Sequence, residues 1–310
     1  MAATMRRRTL LAATLMLPLA GCALAEDHVV PPAASPASAE LAALEGRFGA
    51  RLGVYAISPI SGKEVRHRPD ELFPMCSTFK GLAVAAVLDR FPISHLEEVV
   101  PFTSRALLDG SPISKEHVGS GMTVRELCDA AIRYSDNTAA NLLLEQIGGP
   151  AELTAFLRSL GDDVTRLDRI EPELNSAEPG DPRDTTSPRA IGNDYRELVL
   201  GKRLATDTKF ELTRWLTTNT TGDERIRAGL PPDWKVGDKT GTGAYGTAND
   251  VAIAWPPSMP AVVVSILSTK PAKDAVADSA LIAEAATIVA RQLGTPDAFV
   301  PIPTTINSGG

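Results

Sequence analysis

Residues 233–268 read DWKVGDKTGTGAYGTANDVAIAWPPSMPAVVVSILS. Three runs within it, 233–240, 250–255 and 261–268, are rich in Val and Ile and separated by Gly and Pro, which is the pattern of strands joined by turns. Residues 275–293 then form a long closing helix ended by Gly294. At the other end, 39–48 reads as a helix, and 51–58 and 63–68 as strands around Pro59-Ile-Ser-Gly62. The middle is helical. Residues 77–89 are apolar almost all round, as in a buried helix. Thr123-Val-Arg-Glu126 is a capping box, and 137–147 stops at Gly148-Gly149. Residues 150–160 start on Pro and stop on Gly161; Ser187-Pro188 opens another helix and 207–219 is one more. This order predicts an α+β fold: a five-stranded antiparallel sheet from both chain ends, flanked by terminal helices, with an all-α lobe inserted. The lobes are 40–68 with 220–294, and 69–219. A cleft where they meet is the natural place for a site.

Ser77-Thr-Phe-Lys80 is the one place where a serine is followed three residues later by a lysine. On a helix this spacing puts both side chains on one face, so the amine reaches the hydroxyl. Serine needs an adjacent base to act as a nucleophile, and a desolvated lysine serves as that base or relays the proton. Alone the pair is weak, because ordinary residue usage supplies about one such spacing in a chain this long. Ser135-Asp136-Asn137 falls in a break between helices; alone it reads as a cap for the next one. Lys239-Thr240-Gly241-Thr242-Gly243 offers a cation, two hydroxyls and glycines that let backbone approach a ligand, or simply a strand end and a turn. Glu171-Pro-Glu-Leu-Asn175 lies in 166–187, an irregular stretch long enough to be functional or disordered. Arg169 and Asp184 flank it, as a clamp at its neck or as two solvated charges. Glu171 precedes a proline, which biases its backbone away from helix and opens the cis alternative.

Taken together and in this order, Ser-x-x-Lys, Ser-Asp-Asn, Glu-x-x-Leu-Asn and Lys-Thr-Gly resemble the class A serine β-lactamases. The likeness runs from about residue 40 to 294. Asn219-Thr-Thr-Gly, Arg225-Ile-Arg-Ala-Gly and Trp234-Lys-Val-Gly-Asp-Lys-Thr-Gly-Thr-Gly resemble its mycobacterial and related actinobacterial branch. The resemblance implies the fold shared with penicillin-binding transpeptidases, and hydrolysis of penicillins and cephalosporins through an acyl-enzyme on Ser77. It implies an oxyanion hole from the N–H groups of Ser77 and Thr242. Lys80, or Glu171 through a water, takes the serine proton, and both remain open. Ser135 passes a proton to the lactam nitrogen with Lys239 in support. Lys239, Thr240 and Thr242 hold the substrate carboxylate, and Asn137 an amide carbonyl. Glu171 and Asn175 hold the water that frees the enzyme. Gly110, Asn137, Ala244 and the Glu171 loop shape the substrate pocket.

Two departures stand out. The arginine that many members carry on the strand after Lys-Thr-Gly falls at Ala248 here, and Arg225 is the expected replacement. Cys76 precedes the nucleophile as in some carbapenem-hydrolysing members, but their bridging partner falls at Gly243; Cys128 occupies one end of the common family disulfide and Leu82 the other. Cys76 and Cys128 are expected to be two buried free thiols, with an oxidised pair outside the cytoplasm as the alternative. A penicillin-binding D-alanyl-D-alanine carboxypeptidase or transpeptidase is the rival reading, against which Glu171-x-x-Leu-Asn175 speaks. A surface-anchored binding or sensor protein with a degenerate site is a third, and no motif residue is missing to support it.

Arg6-Arg-Arg8, the apolar run that follows, and Leu19-Ala-Gly-Cys22 read as an export signal over 1–21. The arginines resemble a twin-arginine signal, and Leu-Ala-Gly-Cys a lipobox in which Cys22 is lipidated and attaches the chain to a membrane. The alternative is ordinary cleavage after Ala23 or Ala25. Residues 22–39 read as a flexible stalk and 295–310 as a disordered tail. Formal charge is −7, and the loss of three arginines with 1–21 takes it to −10, which argues against a nucleic-acid partner. His28, His67, His95 and His117 lack metal-ligand spacing and no Gly-x-Ser-x-Gly occurs. No metal or other cofactor is expected, and the chain is expected to act as a monomer on a small substrate.

Overall fold

The computed structural model describes residues 36–294. The expected signal, Cys22, most of the stalk and the 295–310 tail lie outside them. Five strands form one antiparallel sheet: β1 (Arg51–Ile57), β2 (Glu64–His67), β3 (Lys235–Gly243), β4 (Thr247–Trp255) and β5 (Val262–Thr269), in the order β2-β1-β5-β4-β3. The chain ends therefore meet inside the sheet, with Val54 opposite Ile266 on β1 and β5. Side chains alternate between faces, yet β5 shows no alternation of polar and apolar residues, and 262–268 are all buried because both faces are covered. Val54, Ala56, Val264 and Ile266 pack under helices α1 (Pro36–Phe48) and α9 (Ser279–Leu293). Tyr55, Ile57, Val263 and Leu267 belong to the second core, shared with the helical half.

That half holds α2 (Phe79–Arg90), α3 (Val124–Arg133), α4 (Asn137–Ile147), α5 (Pro150–Ser159), α6 (Pro188–Leu200) and α7 (Thr206–Thr217); a four-residue α8 (Ile226–Gly229) precedes β3. Every residue of α2 from Phe79 to Leu88 is buried, so its apolar circumference has no solvent face to mark. The Thr123–Glu126 capping box forms as expected, each side chain bonded to the other residue's backbone N–H. Helix α6, counted with the helical middle of the sequence, lies on the sheet against β1, β4 and β5.

Several ends differ from the sequence reading. Ser77 does not begin α2; it sits in a 3-10 turn, Cys76–Thr78, just before it. Helix α1 starts at Pro36, so the last residues read as stalk are helical, with proline's fixed φ suited to a first turn and Ala37 buried. The closing helix starts at Ser279, not at 275, because Val276 is 80% exposed and the Asp278 side chain turns to Lys270. Helix α7 stops at Thr217, because the Asn219 amide is drawn away to Asp238. Two ribbons of two residues per strand escape any pattern: Phe73–Pro74 with Thr185–Thr186, and Val99–Val100 with Met122–Thr123.

Candidate active site

The site lies where the Ser77 turn meets β3, an edge strand of the sheet. A Cβ on Gly241 would stand 2.8 Å from the Met75 carbonyl and 3.2 Å from the Ser77 nitrogen, so glycine there is what lets the strand close on the turn. Cys76 holds a left-handed backbone (φ 45), and so does Ser135 across the cleft (φ 55). That conformation costs a non-glycine residue about 1–2 kcal/mol. The turn is tied down by Thr78 Oγ1 donating to Met75 O at 2.7 Å and Tyr195 Oη donating to Thr78 O at 2.8 Å.

Lys80 is fully buried and is the hub. Its Nζ donates to Ser135 O at 2.7 Å, to Asn137 Oδ1 at 2.6 Å and, more loosely, to Ser135 Oγ at 3.4 Å. It stands 2.9 Å from Glu171 Oε1, the same oxygen that accepts from Ser77 Oγ at 3.2 Å. The spacing of Ser77 and Lys80 led us to expect direct contact, but no hydrogen bond joins them. Glu171 Oε1 bridges the pair instead. On the far side Lys239 Nζ donates to Ser135 Oγ at 3.1 Å and to Thr240 O at 2.9 Å. Burial pulls the Lys80 amine below its ordinary range while the Glu171 carboxylate resists. Burial, and then the charge of Lys80, brings Lys239 down to about 7.

Glu171 is held from three directions. Its peptide bond to Pro172 is cis. Asn141 brackets its main chain, donating to Glu171 O at 2.9 Å and accepting from Glu171 N at 3.0 Å. The Asn175 amide donates to Oε2, while Asn175 Oδ1 is buried without a protein partner. At the neck of the loop Arg169 Nε meets Asp184 Oδ2 at 2.6 Å, and Asp184 Oδ1 accepts from the N–H groups of Asp168 and Arg169. The Met75 N–H donates to Asp184 O at 3.0 Å, which links the neck to the Ser77 turn.

A second cluster adjoins the first along β3. Arg225 Nη1 donates to Gly241 O and Asn249 O, and Nη2 to Thr242 Oγ1, all at 2.7 Å. Thr240 shares a hydroxyl bond with Thr221 at 2.6 Å. Cys76 and Cys128 are free and buried, and a Cβ at Gly243 would lie 2.6 Å from Cys76 Sγ, so the thiol fills the space glycine leaves. Among the described residues no group of three or more His, Cys, Asp or Glu is placed to hold a metal ion.

A sequence profile of the Beta-lactamase enzyme family matches residues 36–293. Beta-lactamase AST-1 of Nocardia asteroides is 54% identical over 260 residues, covering 83% of this chain and 84% of that protein. The chain belongs to the class A β-lactamase family. A β-lactamase of Mycobacterium tuberculosis is 49% identical over 296 residues, 92% of this chain and 96% of its own length. An ancestral class A β-lactamase matches with a TM-score of 0.79 at 54% identity, covering 82% of this chain and 99% of that one. The actinobacterial likeness expected from residues 219–243 is thus found in relatives, and the fold expected from both chain ends is the β-lactamase fold.

The structure brings Ser77, Lys80, Ser135, Asn137, Glu171, Asn175 and Lys239 into one bonded cluster, and Arg225, Thr240 and Thr242 into the adjoining one. Sequence reasoning missed several supports. Asn141 is one helical turn from Asn137 on α4, and that i,i+4 spacing was its available signal. Asp136, read only as part of a motif or a cap, caps α4 through Ala139 N and also accepts from Ile113 N, Ser114 N and Ser114 Oγ. It thereby anchors the segment that follows Gly110, whose carbonyl accepts from Asn137 N at 3.1 Å. Thr221 and Asp250 carry no motif of their own.

Proposed function

We propose that this β-lactamase hydrolyses penicillins and cephalosporins by acylation and deacylation at Ser77, with Glu171 serving both half-reactions. One observation carries the reading. Glu171 Oε1 touches both Ser77 Oγ and Lys80 Nζ while its other oxygen is fixed by Asn175. Ser77 attacks the lactam carbonyl, and its proton passes to Glu171, the carboxylate that already accepts that hydrogen bond. The oxyanion is held by the N–H groups of Ser77 and Thr242, donors placed before charge develops. Lys80 and Ser135 return a proton to the lactam nitrogen, and the Lys239 charge keeps Ser135 oriented. Glu171 and Asn175, whose Oδ1 lacks a protein partner, then direct a water onto the ester. The Arg169–Asp184 ion pair holds the loop that presents them.

A mixture of a penicillin and a D-alanyl-D-alanine peptide tests this against the peptidase reading. The penicillin is consumed catalytically and no D-alanine is released. Release of D-alanine with only stoichiometric loss of penicillin overturns it.

Lys239, Thr240, Thr242 and Arg225 form the carboxylate site, and Asn137 takes an amide carbonyl. Arg225→Ala is expected to raise KM for carboxylate-bearing substrates about tenfold, the scale of one hydrogen bond to a charged group, with kcat little changed. A kcat/KM within about twofold of wild type, a free-energy difference well below that of one such bond, assigns the carboxylate to another group. Lys239 sets a pH limit of defined sign. Its amine is cationic below about pH 7 and neutral above, so the attraction for an anionic substrate is present at low pH and lost as pH rises. The free-enzyme profile, kcat/KM against pH, is expected to fall on that alkaline side for a free-acid penicillin and to stay flatter for its methyl ester. Equal alkaline falls for both assign the limb elsewhere.

Residues 1–21 act as an export signal in this reading, and Cys22 as the lipidated anchor of a monomeric enzyme at the cell envelope; these rest on the composition of the first residues and on the family's usual export.

A further inference from the structure

We infer that Asp250 is a positioning residue for the substrate-carboxylate site: it holds the turn from which Arg225 reaches Thr242, and acts on the reaction only through that arginine. The inference rests on the reading that Arg225 binds the carboxylate.

Strand β4 carries alanine at position 248, opposite Thr242, and so supplies no cation there. Two residues on, on the same face, it places Asp250 opposite Thr240. Asp250 Oδ2 accepts from Ile226 N at 3.0 Å. That N–H opens the short α8 and belongs to the first turn, where no intrahelical partner exists. Arg225 is the N-cap and its own side chain caps nothing. The same two-residue step is fastened twice more by strand atoms, through Arg225 Nη1 to Asn249 O and Gly241 O. Main chain and guanidinium are thus registered to β4 and β3 together, and among the described residues Asp250 is the only side chain bonded to the Ile226 N–H.

Asp250 is 0% exposed, and its same-face neighbours are Ala248 and Ala252. A carboxyl among such neighbours is costly unless it is bonded. Its Oδ1 has no partner. The charged groups around it are Asp238, Arg225 and Lys239, and burial and then Asp238 favour its neutral acid form. Asparagine is close in shape to that acid and keeps the acceptor for Ile226 N. Alanine removes the acceptor.

The test is steady-state kinetics on a penicillin and its methyl ester for Asp250→Ala, Asp250→Asn, Arg225→Ala and the Asp250→Ala/Arg225→Ala double variant. Asp250→Ala is expected to raise KM for the free acid about tenfold, with kcat within about threefold, as loss of one buried hydrogen bond predicts. The ester is unaffected, Asp250→Asn restores KM, and Asp250→Ala adds nothing once Arg225 is gone. Should Asp250→Ala not fold, Asp250→Val, which fills the volume without an acceptor, carries the same expectations. Unchanged KM in the alanine and valine variants, equal losses on acid and ester, failure of asparagine to restore, or additivity with Arg225→Ala overturns the assignment. An Arg225→Ala enzyme with normal KM overturns the Arg225 reading instead, whatever Asp250 does.

Discussion

Replacing Glu171 by alanine is expected to turn the enzyme into a trap, with the penicillin left covalently on Ser77 and ester hydrolysis slowed by about a thousandfold or more, the scale of losing a positioned general base. The geometry explains why deacylation suffers most. Glu171 is bonded both to Ser77 Oγ and to the Asn175 amide, and this pairing is lost when the carboxylate goes. Acylation has a second route. The Glu171 carboxylate is the main influence holding the Lys80 amine up against burial. Without it Lys80 loses its proton more readily and takes up the role of accepting the Ser77 proton. Intact-mass measurement checks both halves: the adduct forms and persists in Glu171→Ala, and disappears within the dead time in the unaltered enzyme. An adduct lost at the wild-type rate removes Glu171 from deacylation.

Lys80→Ala is expected to act on the other half-reaction, lowering the acylation rate constant about 10³–10⁴-fold. Lys80 binds Ser135, Asn137 and Glu171 at once, so its loss breaks the proton path to the lactam nitrogen. It also leaves Glu171, at 1% exposure, without its ion-pair partner. Arginine is not expected to rescue: its planar fork cannot replace a compact ammonium among these acceptors. Stopped-flow acylation of the variant by a chromogenic cephalosporin reads the effect directly. A rate constant within about tenfold of wild type, a loss far smaller than that of a proton-transfer group, shows that Lys80 is dispensable.

Much of this was legible in the chain. The β5 run Val-Val-Val-Ser-Ile-Leu marks a strand covered on both faces, and Pro150, Gly148 and the Thr123–Glu126 box mark helix ends by local chemistry alone. The four motifs named the residues that converge. What stayed hidden depends on distant partners. Nothing local tells that Asp250 meets Ile226 N or that Thr221 meets Thr240, since each pair joins segments 19 or 24 residues apart. The placement of Glu171 between Ser77 and Lys80 needed the loop neck, where Asp184 joins Arg169 to the main chain of Met75. Helical spacing suggests a direct Ser77–Lys80 contact because it cannot foresee a carboxylate from 94 residues away standing between them. The start of α9 was misplaced because Ala275 to Asp278 look helical by composition, while the Lys270–Asp278 pair and the exposure of Val276 keep them out of the helix.

The central claim is that the Ser77 acyl-enzyme turns over rather than accumulates. A chromogenic cephalosporin in large molar excess, followed at its absorbance maximum, tests it most directly. Absorbance is expected to rise linearly until the substrate is exhausted, with no burst limited to one equivalent of enzyme. A rise that halts at one equivalent, leaving a stable Ser77 adduct in the unaltered protein, contradicts it.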